Sequence, residues 1–476
     1  MNITHYLRTY NQEITLILFC VGMVFYALGL WGFTKSFSTQ SFFHLGGLLF
    51  IAYNYRSFRL RAWRILALPL LCFAMVTLLG LVTLFDEVWQ RKTSVVLKSI
   101  NQNILGYCVL FVLVFLYAMY AKLRCVLYFL CFFALLCFIE VCSTIYLGIH
   151  HGFFKTISNV PFYFKAVFTY NIWLLAPAAI SLAGILALKQ KYLKILSALG
   201  LILTFIAMLA NGERSFLVAL LAMLFAPFVF WHFRHKLLML VGVLCVFMVC
   251  LWSFYHMSKS LPERYNFAHM LDNFLIVWAS APIEMGQFDK SCFKKQKWLT
   301  CAQESIEIGK NEISIEHSAL SRINMSKSTL LALLDEPFKP HIVGVFQIGE
   351  YLWHYYNLKN HQNRSYIIQN DPANKETNGY NHPHNFALSL AFSYGIFGFI
   401  CIVIFQGFVL YSAYRGVCAQ SDYKKFWALV LGVFAVGVMA QSVFDAFYTG
   451  ILQCIFIVLG MLVGLGWRDE DTAYHR

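Results

Sequence analysis

"ITLILFCVGMVFYALGLWGF", residues 14–33, contains no charged side chain. As an α-helix it would be about 30 Å long, which is the thickness of the hydrocarbon core of a bilayer. A polar head carrying one arginine, Arg8, precedes it, and no small-residue cleavage site follows. It therefore reads as an uncleaved signal anchor rather than a removable leader. Outward from this run the pattern repeats. Apolar stretches at 41–54, 65–85, 104–121, 126–148, 170–188, 193–210, 216–231, 237–254, 386–411, 426–447 and 451–467 bring the expected spans to twelve. The second, 41–54, is short and interrupted by glycines. The chain of 476 residues is 59% hydrophobic and only 13% charged, with 46 phenylalanines, more apolar surface than a soluble core can hide. The expected fold class is an all-α polytopic membrane protein of about 12 transmembrane helices.

One polar stretch, from about Tyr255 to Asn385, breaks the series and is far longer than an ordinary connection. This predicts three regions: spans one to nine in 1–254, a large external segment with amphipathic helices in 255–385, and spans ten to twelve with a short tail in 386–476. Within the segment, "SALSRINMSKSTLLALLDEPF" (318–338) places apolar residues at helical spacing and stops at Pro337, predicting a helix near the membrane surface. "VGVFQIGEYLWHYYN" (343–357) continues as an aromatic amphipathic stretch, and "NRSYIIQNDPANKETNGYNHPHN" (363–385) is turn-rich and reads as an exposed loop.

Basic residues set the expected orientation. With the N-terminus in the cytoplasm, the inner segments hold Arg56, Arg61, Lys122, Lys189, Lys424, Arg468 and others, more than twice as many as the short outer loops. Both termini then face the cytoplasm, and the long segment lies outside. That segment is balanced in charge, so the net charge of +14 belongs to the membrane-flanking parts. It is a topological signal and not a nucleic-acid-binding face. Most of the 14 cysteines lie in apolar runs, where they act as small hydrophobes. Cys292 and Cys301 are the exception; in an oxidising compartment they form a candidate short-loop disulfide.

Four polar groups stand at the outer edge of this layout. In "HPHNFALSLAFSYGIFG" (382–398), His384 and Asn385 precede an apolar run. An imidazole accepts a proton near neutral pH, and the adjacent amide is placed to orient it or a substrate hydroxyl; the alternative is an interfacial residue capping a helix. His382 is set apart by Pro383. Arg214, in "LANGERSFLVALL" (209–221), falls in the first turn of span eight after a tight Asn211-Gly212 turn. A helix N-terminus and a guanidinium together suit phosphate, whereas a snorkelling arginine is the plainer reading. Arg322, in "HSALSRINMSK" (317–327), precedes the predicted surface helix, with Lys327 further along; the plainer reading is a solvated charge on an amphipathic helix. Asp445, near the outer end of span eleven beside Tyr448, needs a partner at that depth, for function or for structure alone. Glu140, inside span five, shares the ambiguity without any matching motif. Two arginines, a base and a carboxylate on one membrane face suit a diphosphate leaving group and a hydroxyl acceptor. No cluster shows metal-site spacing, so no metal or other cofactor is expected and the arginines would neutralise the departing charge.

His384-Asn385, nine residues, Gly395, two residues and Gly398 match the H-[NSQ]-x9-G-x-x-[GTY] pattern of the O-antigen ligase and polymerase superfamily. "GERSFLVAL" (212–220) resembles its S-R-G-x-x-L element, with Glu213 and Ser215 replacing the usual flanks of Arg214. Arg322, Pro337 and Gly344 follow the order of its R…W-x-x-A-L…P-x-x-G-x-G segment, without the tryptophan and with extra residues before Gly344. The resemblance implies a GT-C-like, metal-independent, inverting glycosyltransferase in the bacterial inner membrane with a periplasmic active site. Its donor would be a glycan on undecaprenyl diphosphate and its acceptor the lipid A–core oligosaccharide. It further implies that Arg214 and Arg322 bind diphosphate, that His384 is the general base, and that Asp445 orients a basic partner or the acceptor. Asn385 and Lys327 would assist binding, and Gly395 and Gly398 would allow close helix approach. A polymerase of the same superfamily, a protein O-oligosaccharyltransferase and a glycan-lipid transporter are the alternatives.

Overall fold

A computed structural model describes residues 3–30, 36–58, 60–85, 93–153, 171–212, 214–232, 235–258, 274–275, 278, 317–343, 348–349, 351–352, 383–445, 447 and 449–469. Cys292, Cys301, His382, Glu213, Tyr448 and the 363–382 stretch lie outside them. The described residues form helices and turns without a β-strand. In chain order the helices are α1 (Ile3–Leu30), α2 (Ser36–Asn54), α3 (Leu60–Val82), α4 (Thr93–Ile100), α5 (Gly106–Tyr120), α6 (Leu123–His151), α7 (Asn171–Ala187) and α8 (Lys191–Asn211). There follow α9 (Arg214–Phe225), α10 (Pro227–Phe230), α11 (Lys236–Ser258), α12 (His317–Asp335), α13 (Phe386–Val417), α14 (Asp422–Ser442) and α15 (Thr449–Trp467).

Among the described residues the expected spans fall on helices, except that the eleventh leaves its helix after Ser442 and ends in a turn. Among the same residues seven helices are long and apolar enough to cross a membrane, and the shorter apolar helices Trp173–Ala187, Ser215–Phe230 and Ile451–Trp467 accompany them; α2 and α11 are helical but fall in neither group. The chain is an all-α polytopic membrane protein. Two further local features depart from the expectation. The loop before span four is partly helical: α4 runs through a π-helical turn, Asn101–Leu105, directly into α5. The first helix starts at Ile3, with a non-helical residue at Tyr10 (φ −112°, ψ 16°) where polar head meets apolar run.

The chain divides into two compact units, cut differently from the three predicted regions. The first comprises Met1–Thr77, Asn101–Trp231 and Ile400–Arg476. In it α15 lies along α5, and the reason is two glycines one turn apart. A Cβ on Gly460 would stand 2.8 Å from the Phe111 carbonyl oxygen, and one on Gly464 2.6 Å from that of Phe115. Only small residues permit such backbone contact between helices. Aromatic rings fill the neighbouring space: Phe405 lies 5.2 Å from Phe73 and 5.6 Å from Phe456, and Tyr107 stacks on Phe456 at 5.4 Å.

One end of this unit gathers the loops rich in basic residues. Lys122 pairs with Glu13 at 2.7 Å, Lys189 with Asp422 at 2.6 Å, and Arg61 with Asp469. The buried Arg468 guanidinium donates to the carbonyls of Ala118 (3.2 Å) and Ala121 (2.6 Å), and the Lys424 ammonium donates to the Arg468 carbonyl. These are loops that the charge pattern assigns to a single side. The second unit comprises Leu78–Ile100 and His232–Phe399, and so holds α4, α11, α12 and the start of α13.

Candidate functional site

Asn385 makes the start of α13. Its side-chain Oδ1 accepts a hydrogen bond from the Leu388 N–H at 2.8 Å, and its carbonyl accepts from the Ser389 N–H at 2.9 Å and the Ser389 hydroxyl at 2.8 Å. This is an N-cap, a bond typically worth about 1 kcal/mol against alanine. The side-chain carbonyl of Asn385 is therefore committed to the helix, and only its NH2 is left to meet a substrate. His384 is the residue directly before this cap, half-buried, with the buried Pro383 ahead of it.

The next nine residues end at Gly395, where α13 breaks with φ 66° and ψ 178°. Positive φ is strained for any side chain that carries a Cβ. What occupies the break is backbone, not another helix as the sequence pattern implied. The Ile396 N–H donates to the Pro337 carbonyl at 2.9 Å, and the Ile342 N–H to the Ser393 carbonyl at 3.4 Å. A Cβ on Gly395 would approach the Phe338 carbonyl oxygen at 2.9 Å. The segment that follows α12 is thus clasped against the first turns of α13.

His341 locks the clasp. It is fully buried, its ring stacks on Phe392 of α13 at 4.6 Å, and its Nδ1 lies 2.9 Å from the Tyr351 hydroxyl. A Glu336 carboxylate oxygen lies 3.9 Å from the same nitrogen. His341 falls among the extra residues between Pro337 and Gly344, and no spacing marked it out beforehand.

Arg322 is half-buried in the second turn of α12. The inner face of that helix is mixed: Asn324, Ser328 and Thr329 are buried together with Met325, Ala332 and Leu333. The Ser328 hydroxyl donates to Asn324 Oδ1 at 3.4 Å, while Asn324 Nδ2 is buried without a hydrogen-bond acceptor. An unmade bond of this kind costs about 1–3 kcal/mol, so Asn324 offers a donor toward the interior of its unit. Lys327 points the other way, donating to the Trp278 carbonyl at 2.7 Å and lying 5.7 Å over that indole.

In the first unit, α8 ends at Gly212 in the left-handed region (φ 75°), its N–H bonded to the Met208 carbonyl at 3.2 Å, and α9 begins at Arg214. The following residue fixes that start. The buried Ser215 hydroxyl donates to the Asp445 carboxylate at 3.2 Å and accepts from Gln441 Nε2 at 3.4 Å. Asp445 is 0% exposed and sits in the turn after α14, past its last residue Ser442. Glu140 is also buried, in the middle of α6. Arg214, Ser215 and Asp445 belong to the first unit, and Arg322, Lys327, His384 and Asn385 to the second. Among the described residues, no three of His, Cys, Asp or Glu come close enough to hold a metal ion.

Residues 199–403 match the sequence profile of a family described as O-antigen ligase. The matched stretch begins in α8 and ends in α13, so it includes Arg214, Arg322, Lys327, His384 and Asn385 and stops short of Asp445. No curated protein matches the chain.

Proposed function

From a chain whose residues 199–403 match a family described as O-antigen ligase, we propose a glycosyltransferase that moves an O-antigen-type glycan from undecaprenyl diphosphate to a hydroxyl of lipid A–core oligosaccharide. The reaction takes place at the periplasmic face of the inner membrane, with both termini of the chain in the cytoplasm. The observation that carries the reading is the built end of α13. An imidazole stands directly before an asparagine-capped helix, and the chain that follows is clasped at Gly395 to the segment after α12.

In this reaction the acceptor hydroxyl oxygen attacks the anomeric carbon of the donor sugar. The bond from that carbon to the phosphate oxygen breaks with inversion, and undecaprenyl diphosphate leaves. His384 takes the proton of the attacking hydroxyl. Arg214 and Arg322 hold the diphosphate and neutralise the charge that grows on it, an effect strengthened where water is scarce. Asn385 serves through the helix it caps and through its NH2. Asp445 acts on the start of α9, next to Arg214, through the Ser215 hydroxyl.

The test is the lipopolysaccharide of a deletion strain carrying the wild-type gene or the variant His384→Ala. General-base assistance is worth about 10²–10⁴ in rate, so the variant should reach the membrane in normal amount and attach almost no polymer. Full-length polymer should then remain on the carrier lipid beside an unmodified core. A core bearing a single repeat unit would instead assign polymerase activity, and intermediates trapped inside the cell would assign transport. Normal attachment by His384→Ala would remove that residue from the mechanism.

A further inference from the structure

A helix on a water-facing segment turns its leucines inward and its polar residues out. α12 departs from this in part. Asn324, Ser328 and Thr329 are buried beside Met325, Ala332 and Leu333, whereas Leu331 and Leu334 are exposed, Leu334 at 63%. Past the helix end and the exposed Asp335, Phe338 is exposed at 64%. There it meets a membrane span: the Phe338 ring packs 5.5 Å from that of Phe397 on α13, itself 52% exposed. α13 is long and apolar enough to cross a membrane, and Phe397 lies in its first half. On the outer face of α12, Lys327 is bonded to the Trp278 carbonyl beside its indole, the pair of residue types that settles at headgroup level.

We propose that the outward face of α12 and Phe338 are immersed in the phospholipid acyl chains of the leaflet that α13 enters, with Lys327 and Trp278 marking the headgroup plane. The occupant is lipid because the exposed Phe338 packs on Phe397, itself exposed on a helix long and apolar enough to cross a membrane. The helix is then a float that fixes Arg322, on the same element, at the depth where a lipid-linked diphosphate lies. The immersion itself stands whether or not the transferase reading holds.

The experiment places the photoreactive residue p-benzoylphenylalanine at Leu334 or Phe338 of the full chain, one position at a time. The protein is reconstituted in vesicles of phosphatidylethanolamine and phosphatidylglycerol, irradiated, and weighed intact. Leu196, 64% exposed on the candidate span α8, serves as the reference. Both test positions sit on the surface, so the bulky residue leaves packing intact, and monodisperse elution confirms folding. Lipid adducts at Leu334 and Phe338 within about threefold of the Leu196 yield are expected, since both sites are assigned the same solvent. Adducts at Leu196 with none at the two test positions would overturn the proposal. Capture of a second copy of the chain in place of lipid would do so too.

Discussion

Ser215 is a single hydroxyl holding two elements together. It donates to the Asp445 carboxylate and accepts from Gln441, so the start of α9 is tied to the end of α14 through one oxygen. The serine here gives a fully buried carboxylate a hydroxyl partner. A hydrogen bond to a charged group is worth about 1.5–3 kcal/mol, and stripping it from a buried carboxylate costs at least that. Ser215→Ala should therefore lower the melting temperature and reduce transfer by roughly tenfold to a hundredfold. Asp445→Ala should act in the same range. Because both break the Ser215–Asp445 bond, Ser215→Ala/Asp445→Ala should be little worse than the poorer single variant. Fully additive losses in a double-mutant cycle would mean that Asp445 acts on something other than Ser215.

At the scale of elements, the break in α13 makes the sharpest claim. Gly395→Ala must place a side chain at φ 66° and drive its Cβ into the Phe338 carbonyl oxygen at 2.9 Å. The left-handed conformation alone costs about 1–2 kcal/mol. Either α13 straightens, breaking the Ile396–Pro337 and Ile342–Ser393 bonds, or the segment after α12 is pushed away. Transfer should fall at least tenfold while the protein still inserts, and proteolysis between α12 and α13 should accelerate. Gly398 is closed to a side chain for a different reason, because on ordinary helical backbone its Cβ would stand 2.1 Å from the Tyr394 Cβ. A Gly395→Ala variant with normal transfer would remove the positive φ from the explanation.

These elements also show what the sequence made legible. Apolar runs as long as the bilayer is thick had to become helices, and among the described residues they lie on helices, apart from the turn that ends the eleventh. The helix ending at Pro337 was equally readable, because proline cannot continue it. The glycine of the motif could be seen but its task could not, since nothing in a sequence reports φ or names the carbonyl that approaches. His341 carried no signal at all: one histidine among apolar residues has the same appearance whether exposed or stacked on Phe392. For Lys327 the sequence leaves open a phosphate ligand or a solvated charge, and it does not report the contact with Trp278. The cap at Asn385 was readable from an asparagine ahead of an apolar run, although its side chain was first assigned to the substrate.

For the molecule as a whole, the basic residues do two jobs at one end of the first unit. As a sequence pattern they assign alternate loops to a single side of the membrane. As a structure they fasten those loops to one another, Lys122 to Glu13, Lys189 to Asp422, Arg61 to Asp469, and Arg468 to the carbonyls between α5 and α6. The two arguments are independent, for one counts charges and the other measures contacts. Together they predict the result of alkaline phosphatase fusions, an enzyme active only after export. Fusions at Lys122, Gln190 and Ser421 should be inactive, because these positions join helices at the basic end. Fusions at Gly152 and Gly212, one helix further along, should be active by a factor of ten or more, roughly the contrast expected when exported and retained reporter differ in folding. Activity at Ser421 together with inactivity at Gly212 would turn the chain over. Arg214 and Asp445 would then face the cytoplasm, where the proposed periplasmic reaction could not use them.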